Sequence, residues 1–114
     1  MSLECSLANK KCVPCHGGVP PLADERVHEL LLELGGGWQL NAAKHLERVY
    51  AFPDFAGALA FANRAGAIAE EEGHHPELHV AWGACRVELY TYAIDGLAES
   101  DFFLAAKISR VVER

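Results

Sequence analysis

The chain has too few basic residues for a typical nucleic-acid-binding protein. Ten Lys and Arg residues are outnumbered by sixteen Asp and Glu residues, which gives a net charge of -6 at pH 7. Contacts with phosphate groups require a surplus of positive charge. The sequence also lacks an apolar run close to the roughly 20 residues that a membrane-spanning helix needs. We therefore expect neither a nucleic-acid partner nor a membrane partner.

Residues 1–5 lack the basic stretch, followed by an apolar one, that marks a secretory signal. We therefore expect a cytoplasmic protein whose four cysteines are reduced. The 114 residues are enough for one hydrophobic core. Apolar residues make up 51% of the chain and charged residues 23%, which is typical of a globular chain and not of a disordered one.

The first part of the chain differs in composition from the rest. Residues 1–22 show no period and hold three of the four cysteines, namely Cys5, Cys12 and Cys15. We interpret them as an N-terminal arm, followed by one domain over residues 23–114.

The segment Cys12-Val13-Pro14-Cys15-His16 matches the Cys-x-x-Cys-His pattern of c-type haem attachment. We reject haem, because attachment occurs outside the cytoplasm and no convincing second axial ligand follows. A zinc site formed by Cys5, Cys12, Cys15 and His16 remains open, since these are suitable tetrahedral ligands. The adjacency of Cys15 and His16 disfavours it.

Three stretches show the 3.6-residue apolar period of helices. The first begins at Asp24 and ends at a glycine triplet, the second extends from Pro53-Asp54 to about Glu72, and the third covers about Glu99 to Val112. The residues predicted to face the core are Val27, Leu30, Leu31 and Leu34 in the first helix, Phe55, Leu59, Ala62, Ala65 and Ala69 in the second, and Leu104, Ala105, Ile108 and Val112 in the third.

Four strand-like segments lie between these helices, at residues 38–40, 45–52, 78–82 and 85–92. In the last segment, alternate positions are Cys85, Val87, Leu89 and Thr91, a period of two that indicates a sheet with one buried face. We expect Cys85 and Trp82 to be packing residues. The order α-β-β-α-β-β-α predicts an α+β domain, in which three helices pack on one face of a four-stranded antiparallel sheet.

Two adjacent histidines, His74 and His75, follow the predicted end of the second helix. Histidine is the side chain that exchanges protons near pH 7 without environmental help. Because Gly73 and Pro76 terminate the helix, the two imidazoles are expected at a stiff, exposed corner that a small molecule could reach. This pattern favours acid–base chemistry. Two alternatives remain open: a pair of solvated histidines, and a metal site that adds His79, which Pro76 disfavours.

A wider pattern surrounds the histidine pair. It comprises Glu70, His74-His75-Pro76, Trp82, and Asp95-Gly96-Leu97-Ala98-Glu99-Ser100-Asp101-Phe102, within roughly residues 23–112. In this pattern the chain resembles the pterin-4a-carbinolamine dehydratase family. The resemblance implies the fold predicted above. It also implies the dehydration of a 4a-hydroxytetrahydropterin to quinonoid dihydropterin and water, with no metal and no organic cofactor.

Such a dehydration needs an acid to protonate the departing hydroxyl group and a base to take the proton from N5. The resemblance implies that His74 and His75 perform these tasks, each worth about 10² to 10⁴ in rate. It does not indicate which histidine is the acid. Asp101 is implied as a third catalytic residue. The residues implied to bind the substrate are Glu70, Pro76, Thr91 and Tyr92.

The sequence departs from the family's pattern at Tyr92, where the family has a third active-site histidine. A tyrosine, with a pKa near 10, cannot carry an imidazolium's charge at pH 7. A weakened enzyme and a lost activity are both compatible with this change. The family often carries Ser or Thr three residues before its acid, where this chain has Ala98. A capping role for Asp101 is therefore less expected.

The resemblance also implies partners. Family members form dimers and tetramers, so we expect a homodimer or a homotetramer. The pterin substrate is left behind by aromatic amino-acid hydroxylases, which makes a hydroxylase a possible pathway partner and the activity a step of pterin recycling. The alternative hypothesis is a non-enzymatic, coactivator-like interaction module on the same fold.

Overall fold

The computed structural model describes residues 7–8 and 20–112. In chain order the elements are helix α1 (Asp24–Leu34), strands β1 (Gln39–Leu40) and β2 (Leu46–Ala51), helix α2 (Phe55–Glu72), strands β3 (Glu77–Ala81) and β4 (Ala84–Leu89), a 3-10 helix (Tyr92–Ile94), and helix α3 (Glu99–Val112). The predicted order α-β-β-α-β-β-α is confirmed. None of these helices is both long and apolar enough to cross a membrane.

Most of the predicted arm lies outside the described residues. The same is true of the ligands in the zinc hypothesis, Cys5, Cys12, Cys15 and His16. Leu7 and Ala8 are described, and both are buried. The Ala8 carbonyl oxygen accepts a hydrogen bond from Lys107 Nζ at 2.7 Å. This contact attaches residue 8 to helix α3.

The four strands form one antiparallel sheet in the order β1-β2-β4-β3. Glu88 of β4 lies opposite Glu47 of β2 on one side and opposite Glu77 of β3 on the other. Strand β4 is therefore an inner strand of the sheet. The position of its last residue, Leu89, determines where the segment that follows it begins.

The core lies between one face of this sheet and the three helices. Strand β4 contributes the predicted alternating residues Cys85, Val87 and Leu89, all of them buried. Phe61 of α2 packs against Tyr50 of β2, with ring centroids 4.5 Å apart. The predicted α+β architecture, with the helices on one face of the sheet, is thus confirmed.

The predicted inward stripe of α2 is partly wrong. Ala62, Ala65 and Ala69 are buried as expected, but Phe55 is 46% exposed and Leu59 is also exposed. Their places in the core are taken by Ala58 and Phe61. Helix α2 is apolar around much of its circumference, so periodicity alone did not distinguish the edge of the buried face from its centre.

The prediction that Trp82 is a packing residue is also wrong, because its side chain is 75% exposed. Trp82 and Gly83 form the two-residue turn between β3 and β4. Gly83 has φ +81, a conformation that residues with a Cβ rarely adopt. At this turn the Trp82 side chain lies beyond the edge of the core. Cys85 is fully buried as predicted, and burial raises the pKa of its thiol.

Candidate active site

The histidine pair lies where α2 ends. Gly73 adopts the left-handed conformation, with φ 68, and its N–H group reaches the carbonyl oxygens of Ala69 and Glu70. The N–H group of His74 also donates to Ala69 O, at 3.1 Å. This C-cap closes the helix, as expected for a glycine at that position. The chain then extends through His75 and Pro76 into β3.

His74 points toward helix α3. Its Nε2 atom lies 2.6 Å from Oδ1 of Asp101 in the first turn of α3. The His74 side chain is 10% exposed, and that of Asp101 is 0% exposed. A buried carboxyl group is stable only when hydrogen-bond donors replace the water that it has lost.

Asp101 obtains two further donors at its other oxygen. Oδ2 accepts from Thr91 Oγ1 at 2.7 Å and from the backbone N–H group of Ala98 at 2.9 Å. The contact with Ala98 is one half of a capping box, in which an acid inside the helix binds the N–H group three residues before it. Asp101 therefore does cap α3, contrary to our expectation. The Ser or Thr that Ala98 replaces is needed only for the other half of the box.

His75 has a different environment. Its Nε2 atom lies 2.9 Å from Oε1 of Glu70, one helical turn earlier in the chain. The His75 side chain is 63% exposed and that of Glu70 is 81% exposed. Successive side chains of an extended segment point in opposite directions, so His74 faces the core and His75 faces solvent.

The last part of the predicted fourth strand is not a strand. Strand β4 ends at Leu89, and Thr91 pairs with Gly96 as an isolated bridge around the 3-10 helix. Thr91 N donates to Gly96 O at 2.8 Å, and Asp95 closes the turn with φ 49. This turn keeps Thr91 buried beside Asp101.

Of the residues predicted to bind substrate, Thr91 is buried and Pro76 is partly buried. Tyr92 is 85% exposed, and within residues 20–112 it makes no hydrogen bond to the other predicted site residues. The structure thus forms two clusters. One contains His74, Asp101 and Thr91, and the other contains His75 and Glu70.

The backbone N–H group of Ala98 was missed as a member of the first cluster. The prediction was based on the side chain at position 98, and the side chain of Ala98 has no capping group. The available signal was Asp101 itself, because an acid at the third position of a helix commonly accepts from the backbone N–H group at the N-cap.

A second polar network lies on the open face of the sheet. His45 Nδ1 lies 2.7 Å from Oε2 of Glu88, Asn41 donates to the same oxygen, and Arg86 donates to Oε1. The His45 ring also stacks on Tyr90, with centroids 3.9 Å apart. Burial raises the pKa of Glu88, but the three hydrogen bonds outweigh burial, so its pKa is lowered from 4.5.

One group of potential metal ligands occurs in the described part of the chain, formed by Glu77, His79 and Glu88. Both carboxylate oxygens of Glu88 already accept hydrogen bonds, and one donor is the positively charged Arg86. The group does not contain His75, so the structure does not support the metal hypothesis based on His75 and His79.

Two cavities of the described residues lie away from the histidine pair. A groove of about 750 Å³ lies between α2 and α3 and is lined in part by Arg64, Glu71 and Lys107. A second cavity, of about 210 Å³, lies between the start of α1 and the Asp95–Gly96 turn. Neither is lined by His74 or His75.

The described residues thus form a small α+β domain with two adjacent, carboxylate-partnered histidines at a helix end. Residues 20–111 match the model of the pterin 4 alpha carbinolamine dehydratase family. The chain belongs to this family. A dehydratase is a hydro-lyase, so membership identifies the chain as an enzyme.

Relatives with similar sequences carry the same assignment. A protein of Rickettsia bellii assigned as a pterin-4-alpha-carbinolamine dehydratase is 55% identical over 108 residues, covering 95% of this chain and 96% of its own length. A protein of Rubrobacter xylanophilus with the same assignment is 48% identical over 105 residues, covering 92% of this chain and 97% of its own.

A solved structure shares the fold. It is the crystal structure of a Brucella melitensis protein described as a transcriptional coactivator/pterin dehydratase. The TM-score is 0.73 and the sequence identity 30%, and the match covers 80% of this chain and 97% of the other.

Proposed function

We propose that this enzyme dehydrates a 4a-hydroxytetrahydropterin to quinonoid dihydropterin and water, with His74 and His75 as its acid–base pair. Family membership and the names of the relatives support the reaction. The observation that supports the roles of His74 and His75 is that their carboxylate partners differ in burial. His74 Nε2 is 2.6 Å from a buried carboxylate, whereas His75 Nε2 is 2.9 Å from an exposed one.

Unequal environments suit a reaction that needs one acid and one base at the same pH. The base takes the proton from N5, the electron pair forms the N5=C4a double bond, and the C4a–O bond breaks. The acid protonates the departing oxygen, which leaves as water. Two imidazoles in opposite protonation states can perform both transfers near pH 7. The electrons balance, so the proposed step needs no oxidant and no reductant.

The test is a stopped-flow measurement of the disappearance of the carbinolamine. The wild-type chain should accelerate it over buffer, and His75→Ala should reduce the acceleration by about 10² to 10⁴. His79→Ala is the matched control, because His79 is an exposed histidine four residues further on. It should retain full activity. A wild-type chain that performs like buffer would contradict the proposal.

A second candidate function is a coactivator-like interaction module with little or no activity. Two observations favour it. The Brucella melitensis protein of the same fold is described as a coactivator as well as a dehydratase. In addition, this chain has the exposed Tyr92 at the position of the family's third histidine. This candidate would replace the first one if neither the wild-type chain nor Tyr92→His accelerates carbinolamine breakdown.

We also propose that the chain works as a homodimer or homotetramer in the cytoplasm, in pterin recycling after an aromatic amino-acid hydroxylase. Exposed apolar residues on α2, Phe55 and Leu59, are consistent with self-association. Light scattering coupled to size-exclusion chromatography tests the assembly. A single monomeric species at micromolar concentration would contradict it.

A further inference from the structure

The hydrogen bonds at Asp101 have a fixed direction. At Oδ2 one of the two donors is the backbone N–H group of Ala98, which cannot act as an acceptor. The hydroxyl group of Thr91 donates to the same oxygen at 2.7 Å. An ionised carboxylate only accepts hydrogen bonds, on either oxygen. Oδ1 is then also an acceptor, so the atom 2.6 Å away, His74 Nε2, must be the donor.

We infer that Thr91 is a positioning residue, which together with the Ala98 N–H group holds Asp101 so that His74 keeps a proton on Nε2 and presents Nδ1 to the substrate. The tautomer follows from the structure alone, whereas the role of Nδ1 rests on the proposed function. In neutral His74, Nδ1 carries the lone pair that can take a proton. This reassigns Thr91, which is buried, from substrate binding to orientation of the catalytic group.

The accessibility of Nδ1 agrees with this assignment. Within residues 20–112, His74 forms its side-chain hydrogen bond through Nε2, and Nδ1 has no partner there. No buried side-chain nitrogen or oxygen in the described part of the chain lacks a partner. Nδ1 of His74 is therefore not fully buried.

Long-range ¹H–¹⁵N spectra of histidine-labelled protein test the tautomer without substrate. The His74 signal, identified by its loss in His74→Gln, should show a proton on Nε2 at a pH where the ring is neutral. Asp101→Asn should move that proton to Nδ1. The Ala98 N–H group would bind the carbonyl oxygen of the new amide, and the amide NH₂ group would then face Nε2 as a donor. A wild-type proton on Nδ1, or an unchanged pattern in Asp101→Asn, would overturn the inference.

The role of Thr91 is tested by kinetics. Thr91→Val removes the hydroxyl group at similar volume. It should lower kcat about tenfold, because one hydrogen bond to the Asp101 carboxylate is lost. KM should change little, because Thr91 does not contact the substrate. Thr91→Ser should restore kcat. Ser109→Ala is the control, since it removes another buried hydroxyl group of the core, bonded to Trp38 and Tyr50. It should leave kcat and the tautomer unchanged.

The outcomes separate this inference from the proposed function. Should Thr91→Ser lose as much activity as Thr91→Val, or should Thr91→Val raise KM with kcat unchanged, the positioning role is wrong. A chain with the expected tautomer that fails to accelerate carbinolamine breakdown would contradict the proposed function and leave the tautomer assignment intact.

Discussion

His74 Nε2 lies 2.6 Å from Oδ1 of Asp101, although 27 positions separate the two residues in the chain. The contact joins the end of α2 to the first turn of α3 across the hairpin of β3 and β4. It uses a carboxylate that also caps α3 and binds Thr91. One buried group therefore combines a structural role with the orientation of the proposed catalytic histidine.

The two histidines should differ in their contribution to stability. His74→Ala leaves Oδ1 of the buried Asp101 without its partner, and we expect a loss of about 1–3 kcal/mol in the free energy of unfolding. His75→Ala removes an exposed contact and should change it by no more than about 0.5 kcal/mol. Urea unfolding of the three proteins measures this. Equal losses in the free energy of unfolding would show that the contact between His74 and Asp101 stabilises the fold no more than the contact between His75 and Glu70.

Replacing Tyr92 by histidine should raise the turnover of carbinolamine, by as much as about 10²-fold, the low end of a general acid–base contribution. Because Tyr92 is 85% exposed, the free energy of unfolding should stay within about 0.5 kcal/mol of the wild type. Tyr92→Phe is the control, since it removes the hydroxyl group without adding an imidazole. If the two variants have the same turnover in the stopped-flow assay, the imidazole brings no advantage at this position.

Acid should reduce the stability contributed by Glu88. The pKa of this carboxyl group is lowered in the folded chain, so its contribution is present above the ordinary value of 4.5 and is lost as the pH falls through the folded value. Wild type should be more stable than Glu88→Gln near neutral pH, and the difference should shrink below about pH 4.5. Urea unfolding over this range measures the difference. Glu71→Gln, at an exposed site, should show no such convergence with the wild type.

The two phenylalanines of α2 should respond differently to truncation. Phe61 is fully buried against Tyr50 and Phe52, so Phe61→Ala should cost about 3–5 kcal/mol. Phe55 is partly exposed, and Phe55→Ala should cost about 1 kcal/mol or less. Thermal or urea unfolding compares them. If Phe55→Ala lost more free energy of unfolding than Phe61→Ala, Phe55 would belong to the buried stripe that the periodicity predicts.

Much of the fold could be predicted because its signals are local. The end of α2 at Glu72 follows from glycine, proline and the apolar period, and the alternation of Cys85, Val87 and Leu89 shows which face of β4 is buried. The exposure of Trp82 could not be predicted in this way. The sequence around an aromatic residue in a turn is the same whether that turn lies over the core or beyond its edge.

By itself the sequence determined the order of the elements and the place of His74 and His75 at a helix end, because backbone hydrogen bonds and side-chain periodicity act over a few residues. The pattern that resembles the family also contained Asp101. Only the tertiary structure decided that His74 faces Asp101 while His75 faces Glu70, and that Thr91 serves the carboxylate. The contacts that join His74 and Thr91 to Asp101 depend on how α2 and α3 pack against the sheet, and that packing is the sum of many weak interactions between distant segments.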